Sequence, residues 1–225
     1  MGGKDPFKTC SSLCEDAQGA PFFKAMEIKT KYPVVFLNSE EILLPLKDLV
    51  SRAKEQILKT GAEKVNILAW SRWGLAARVL ACEMPEKIAS VSTACTPHRG
   101  IRAVDGFMGR LAVKCWARLA GKTKELDAAV KTMSPTRMRE FNEKYPDVGG
   151  VFYQSAACAM KPGDDGGLAS ANNIISITDG ENDGVVSLYS ALWGQQCKVY
   201  RGVSHLGVTD EIYGDLIAVL IEHEL

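Results

Sequence analysis

The sequence predicts an α/β domain built on a mostly parallel sheet of about five strands, with helices on both faces. Three observations predict it. Short runs rich in Val, Ile and Phe, "YPVVFLN" (32–38), "KVNILAW" (64–70) and "KIASVSTACT" (87–96), read as strands buried on both faces. Helix-like segments lie between them, with apolar residues recurring at steps of three and four. The resulting order, β-α-β-α-β, is that of a parallel sheet joined by crossover helices.

Residues 1–31 show no period and read as a loose leader, which leaves 32–225 as a single domain. After the first strand, Leu43, Leu46, Leu49, Val50, Ala53, Ile57 and Leu58 mark one face of an amphipathic helix. Ser39 is an N-cap candidate with Glu40 and Glu41 in the first turn, while Pro45 places the start of the regular helix near itself. Gly61 ends the run. "GLAARVLACEM" (74–84) reads as the second helix, and "VFYQSAA" (151–157) and "CKVYRGV" (197–203) as further strands. "NNIISIT" (172–178) fits a strand or a short helix equally well. A long, mostly helical insert occupies about 101–148. Within it Phe107, Met108, Leu111, Ala112, Cys115, Trp116 and Leu119 share a face, and Arg110, Lys114 and Arg118 repeat on the other. Such a helix either packs on the domain with a solvated basic face or forms a lid over an apolar pocket, drawn to anionic interfaces.

Lys+Arg and Asp+Glu both number 27 in the 225 residues, and this balance gives no reason to expect a nucleic-acid partner. The start, "MGGKDPFKTC", lacks the apolar core of a signal peptide, and Pro6 breaks the myristoylation pattern. No apolar run approaches the length that spans a bilayer. The expectation is a cytoplasmic protein without a transmembrane segment, with secretion left open should the N-terminus be trimmed. Seven cysteines, an odd number, fit no zinc or redox spacing. Most lie in apolar runs and read as reduced, buried thiols; Cys10 and Cys14, in the polar leader, remain candidates for a disulfide or metal pair.

In a parallel sheet, chemistry collects at the carboxyl ends of strands. Ser71, in "AWSRWG", stands there between a strand and a helix, so a tight turn would expose its hydroxyl and aim helix N-terminal N–H groups at a developing oxyanion. A serine nucleophile needs a base. His205 follows the last strand; His98 follows the third and reads as a loop brace; His223 reads as a helix-surface residue. The base in turn needs an acid. Asp183, in "DGENDGVVS", is the choice, with Asp179 and Glu181 as neighbours able to substitute, although Asn-Asp-Gly is also a strong turn signal.

Several segments resemble the bacterial triacylglycerol lipases of the α/β-hydrolase superfamily: "KYPVVFL", "TGAEKVNILAWSRWGL", "IASVSTACTPHRG", "YPDVGGVFYQS", "GENDGVVSLYSALWG" and "RGVSHL". They run from Lys31 to about Leu206, and "TPHRG" and "GENDGVVS" are the most specific. The resemblance implies a reduced α/β-hydrolase that cleaves carboxylic esters of apolar acyl chains without a cofactor. It maps nucleophile, acid and base to Ser71, Asp183 and His205, the three that strand-end placement selects, and the insert to the lid. A small-molecule or lipid ester would be the substrate, with peripheral contact at a lipid interface. Acyl transfer to an alcohol differs only in the acceptor.

The sequence departs from this family in four places. Asn38 and Ser39 stand where an oxyanion loop begins, and a stretch after them is absent, which makes the first strand a sheet edge. Arg72, through its backbone N–H, and Asn38 are the oxyanion candidates. Trp73 replaces a small residue two after the serine; its bulk predicts an outward-turned side chain, joining Phe107, Leu111 and Trp116 on the substrate side, or a displaced helix. Trp70 replaces a His or Tyr. Gly207 stands where these lipases often carry a calcium-binding Asp, so no metal is expected. Trp73 and the short oxyanion segment predict a weakened rate and keep a second reading open, a silent relative that binds lipid or protein.

Overall fold

The computed structural model describes residues 7–12, 34–36, 42–106, 128–161, 163 and 168–225. Among these residues the sheet has six strands, all parallel: β1 (Phe7–Ser12), β2 (Val34–Phe36), β3 (Lys64–Trp70), β4 (Ile88–Ala94), β5 (Phe152–Ala159) and β6 (Gln196–Arg201), in the order β2-β1-β3-β4-β5-β6. The helices used below are α1 (Leu46–Lys59), α2 (Trp73–Glu83), α3 (Pro135–Lys144), α4 (Ala169–Asp179), α5 (Leu188–Ala191) and α6 (Asp210–Glu222).

The parallel α/β architecture is as the sequence predicts, with one strand more. The extra strand is β1, which lies inside the segment read as a leader. "FKTCSS" carries no apolar run, so nothing in its composition signals an interior strand; its place comes from backbone pairing with β2 on one side and β3 on the other. β2 is the sheet edge, as expected for the "YPVVF" run. The helix after it begins directly behind Pro45, which precedes the first turn without a side-chain cap, and ends at Thr60 before Gly61 in the left-handed region at φ 64°. The ambiguous run 172–178 is helical and lies within α4.

Alternation along β3 sorts the core into two layers. Val65, Ile67 and Ala69 join the cluster that holds Leu49, Val50, Ala53 and Ile57 of α1 and Ala76, Val79 and Leu80 of α2. Leu68 joins the opposite cluster, with Ile212, Tyr213, Leu216, Ile217 and Leu220 of α6. Helices therefore cover both faces. The central strands also bury polar side chains, and these are paired across the sheet. Ser90 donates to Asn66 Oδ1 at 2.6 Å, and Gln154 Nε2 donates to Ser92 Oγ at 2.8 Å.

The described parts of the insert pack on the domain. Ile101, Ala103, Val104 and Met133 share a cluster with Ala157 of β5 and Ile175 of α4. α3 starts at Pro135 behind Ser134, whose Oγ accepts from Arg137 N–H, and it buries Met138. Phe107, Leu111 and Trp116, the expected lid residues, lie outside the described residues. No helix among the described residues is long and apolar enough to cross a membrane.

Candidate active site

β3 and β4 end in register, Trp70 beside Ala94, and the next residue of each, Ser71 and Cys95, has a positive φ, 52° and 54°. Such conformations are costly for residues with a side chain and persist where the surroundings over-determine them. At Ser71 they do. Its N–H donates to Ala94 C=O at 2.9 Å, while its C=O accepts from Thr96 Oγ at 2.7 Å and from Gly74 N–H at 3.1 Å. The turn passes into α2, with Arg72 as the N-cap residue, so the Arg72 N–H belongs to a helix N-terminus beside the serine.

The close approach that this turn demands falls on Gly74. A Cβ there would lie 2.2 Å from Thr96 Oγ and 2.9 Å from Thr93 Cγ2. Trp73, one residue earlier, is the first residue of α2 and points away from that contact. It is 2% exposed and sits in the core with Leu49, Ile57 and Tyr153. This corrects the expectation of an outward Trp73 on the substrate side. A helix advances about 100° per residue, so positions 73 and 74 face different neighbours, and only the glycine faces the strand. The Arg72 side chain is also buried. Its Nη1 donates to the carbonyls of Ile42 (2.5 Å) and Leu44 (3.1 Å), tying the elbow to the chain before α1, and burial lowers its pKa to about 10.

Asp183 lies in the loop between α4 and α5 and is fully buried. Its two oxygens have separate tasks. Oδ1 accepts from the N–H groups of Val185 (2.9 Å) and Val186 (2.7 Å), which is the turn that Asn-Asp-Gly signals. Oδ2 faces His205 Nδ1 at 2.8 Å. The turn that the loop signals and the contact with His205 thus use the two oxygens of one carboxylate. Asn182 anchors the loop from within: its Nδ2 donates to Asn172 C=O, Ser176 Oγ and Gly180 C=O, its Oδ1 accepts from Gly184 N–H, and Asn172 Nδ2 donates back to it. The neighbours that could have substituted for Asp183 are engaged elsewhere, Asp179 beside Arg102 at 3.6 Å and Glu181 with Arg201 at 2.8 Å.

His205 follows β6 and the turn at Gly202, and its N–H donates to Asp183 C=O at 2.7 Å. A carboxylate only accepts, so the ring proton sits on Nδ1 toward Asp183, and Nε2 accepts from the Ser71 hydroxyl at 3.0 Å. Three side chains from three loops, up to 134 residues apart, form one continuous chain of hydrogen bonds beyond the carboxyl ends of the strands. Such a chain can take a proton from the serine and return it to a leaving group.

Cys95 lies beside the relay, with no signal in the sequence beyond its place at a strand end. Its thiol and ligand atoms of Asp183 and His205 all lie within 4.8 Å of one another, the one such metal-capable group among the described residues. An ion held there would take the imidazole from the carboxylate and break the relay. A hydrogen bond with Cys158, burial and the Asp183 charge keep the thiol protonated well above its ordinary range. Asn38 lies outside the described residues. β2, which precedes it, is separated from β3 by β1, and it is Ser12 at the end of β1 that pairs with Ala69 beside the elbow.

The strand order and the serine at its strand-end turn define the α/β-hydrolase fold class. The mature form of a Bacillus licheniformis lipase superposes with a TM-score of 0.66 at 20% identity, over 96% of this chain and 90% of that one. In sequence, the chain is 25% identical to a triacylglycerol lipase of Pseudarthrobacter phenanthrenivorans, across 79% of this chain and 78% of the relative. It is also 25% identical to a triacylglycerol lipase of Burkholderia plantarii, across 79% and 69%. No protein-family model matches the chain.

Proposed function

We propose that this protein is a carboxylic-ester hydrolase that cleaves esters of apolar acyl chains, with Ser71 as nucleophile, His205 as general base and acid, and Asp183 as the orienting carboxylate. The observation that carries this reading is the hydrogen-bond chain Ser71–His205–Asp183, at 3.0 Å and 2.8 Å. Ser71 Oγ bonds to the ester carbonyl carbon as its proton passes to His205 Nε2. The C–O bond to the alcohol then breaks and that proton leaves with the alkoxide, which gives an acyl-serine. Water, deprotonated by the same nitrogen, adds to the acyl carbon; the bond to Ser71 Oγ then breaks, that oxygen takes the proton back from Nε2, and the acid is released. The Arg72 N–H supplies one oxyanion donor at the helix N-terminus.

The triacylglycerol lipases at 25% identity support an ester substrate. The reading as a silent binding relative loses its main support, because Trp73 lies in the core and Ser71 stays within hydrogen-bonding distance of His205.

The test is labelling by a fluorophosphonate, together with hydrolysis of a soluble short-chain ester. Wild type is expected to react on both counts, while Ser71→Ala takes no label and His205→Ala labels about 10⁴-fold more slowly. Folded wild-type protein that takes no label across the imidazole titration range would rule the hydrolase out.

A further inference from the structure

The last residue of β3, Trp70, touches the base as well as preceding the nucleophile. Its indole Nε1–H donates to the backbone C=O of His205 at 3.0 Å, across 135 residues of chain. Its ring centroid lies 5.0 Å from that of the imidazole, with the planes inclined at 42°. The other backbone group of His205, the N–H, donates to Asp183 C=O. Both polar backbone groups of the base are therefore held, one by the loop of the acid and the other by the strand of the nucleophile. Before the histidine, Gly202 and Val203 N–H both donate to Ala159 C=O; after it, Gly207 N–H donates to Ser204 C=O. None of these contacts ties the segment to β3. The indole does, and β3 is the strand that ends at the hydroxyl the imidazole must meet.

We propose that Trp70 is a positioning residue: it sets the distance between the His205 ring and Ser71 Oγ by clamping the His205 carbonyl to β3. The kinetic part rests on the hydrolase reading; the clamp itself does not. A packing role is the alternative, since Trp70 also lies against the cluster on the α6 side. The two roles differ in what they move. A packing residue changes stability, whereas a clamp on the base changes kcat and its pH dependence more than KM.

Three variants separate them. Trp70→Phe keeps a ring and deletes the donor, Trp70→His keeps a ring N–H, and Trp70→Leu removes ring and donor. Trp70→Phe is expected to lower kcat and the fluorophosphonate inactivation rate about five- to thirtyfold with KM nearly unchanged, the factor for one lost buried hydrogen bond. Trp70→His recovers part of that loss. Trp70→Leu, which lacks ring and donor, recovers none of it.

A second measurement needs no substrate. A protonated imidazole quenches a neighbouring indole, so the emission lost in Trp70→Phe, taken as a difference from wild type, should fall as His205 gains its proton. The same difference taken in a His205→Ala background should be flat across that range. Variants that lose stability yet keep wild-type kcat, or a difference emission that ignores His205, would overturn the proposal. Should wild type neither label nor turn over ester, the hydrolase reading fails, and the fluorescence titration still decides whether Trp70 holds the base.

Discussion

Two histidines lie buried at the carboxyl end of this sheet, and their surroundings differ. His205 has a carboxylate on Nδ1 and a hydroxyl on Nε2. His98, fully buried after β4, has Thr93 Oγ at 3.0 Å from Nε2, and its Nδ1 has no partner. Around it stand cations. The buried Arg78 guanidinium lies 4.0 Å from the centroid of Trp193, Arg99 lies 5.2 Å from it, and His98 stacks on the same ring. Burial first, and then Arg78 and Arg99, push the His98 pKa well below its ordinary value of 6.5. That imidazole stays neutral and cannot become the cation that a general base must become. Burial contributes most to that shift and the two guanidiniums add to it, whereas His205 has a carboxylate at hydrogen-bonding distance from Nδ1.

The largest test of this contrast removes the carboxylate. Asp183→Asn should lower kcat/KM by about 10⁴-fold, because the amide no longer holds the tautomer that leaves Nε2 free or supports the imidazolium. Ester turnover measured beside active-site titration separates that loss from misfolding. A variant within tenfold of wild type would mean that His205 does not depend on Asp183.

An intermediate effect tests whether the elbow, rather than the relay, limits this protein. Trp73→Gly should cost about 3–5 kcal/mol of stability in urea unfolding, since it empties a site in the core. It should not raise the ester rate per folded molecule. A faster variant would restore the view that Trp73 obstructs Ser71.

The smallest effect concerns His98 alone. His98→Gln should leave the ester rate per active site within about twofold, as expected for a side chain outside the chemistry. It should change how stability responds to acid. The folded pKa of His98 lies below the unfolded one, so the unfolded chain binds an extra proton once the pH drops below about 6.5. Stability from this group is complete above that pH and falls by about 1.4 kcal/mol per pH unit below it, until the folded pKa is reached. Unfolding free energies across that window should show a slope one proton smaller in the variant, and equal slopes would remove His98 as the source.

Much of this molecule is legible before folding is considered. β3, β4 and β5 announce themselves because strands buried on both faces are mostly apolar and β-branched or small, even where a paired polar residue interrupts them, and a proline marks the start of α1 to within a residue. Ser71 and His205 are legible for a different reason: a parallel sheet places the chain after each strand on one rim, whereas Asp183 follows α4 rather than a strand and meets His205 only through the fold. What stays hidden is set by partners distant in sequence. β1 is a strand because β2 and β3 flank it, although its own composition is polar. The glycine required at the elbow is Gly74 because Thr93 and Thr96 stand against it. Trp70 and Trp73, three positions apart, have opposite fates, one clamping His205 and the other filling the α1–α2 layer. Apolar periodicity reports which face of an element is buried, and strand order reports which rim its end joins. Neither specifies the neighbour that a side chain meets there, since that neighbour comes from elsewhere in the chain and is chosen only when the layers close.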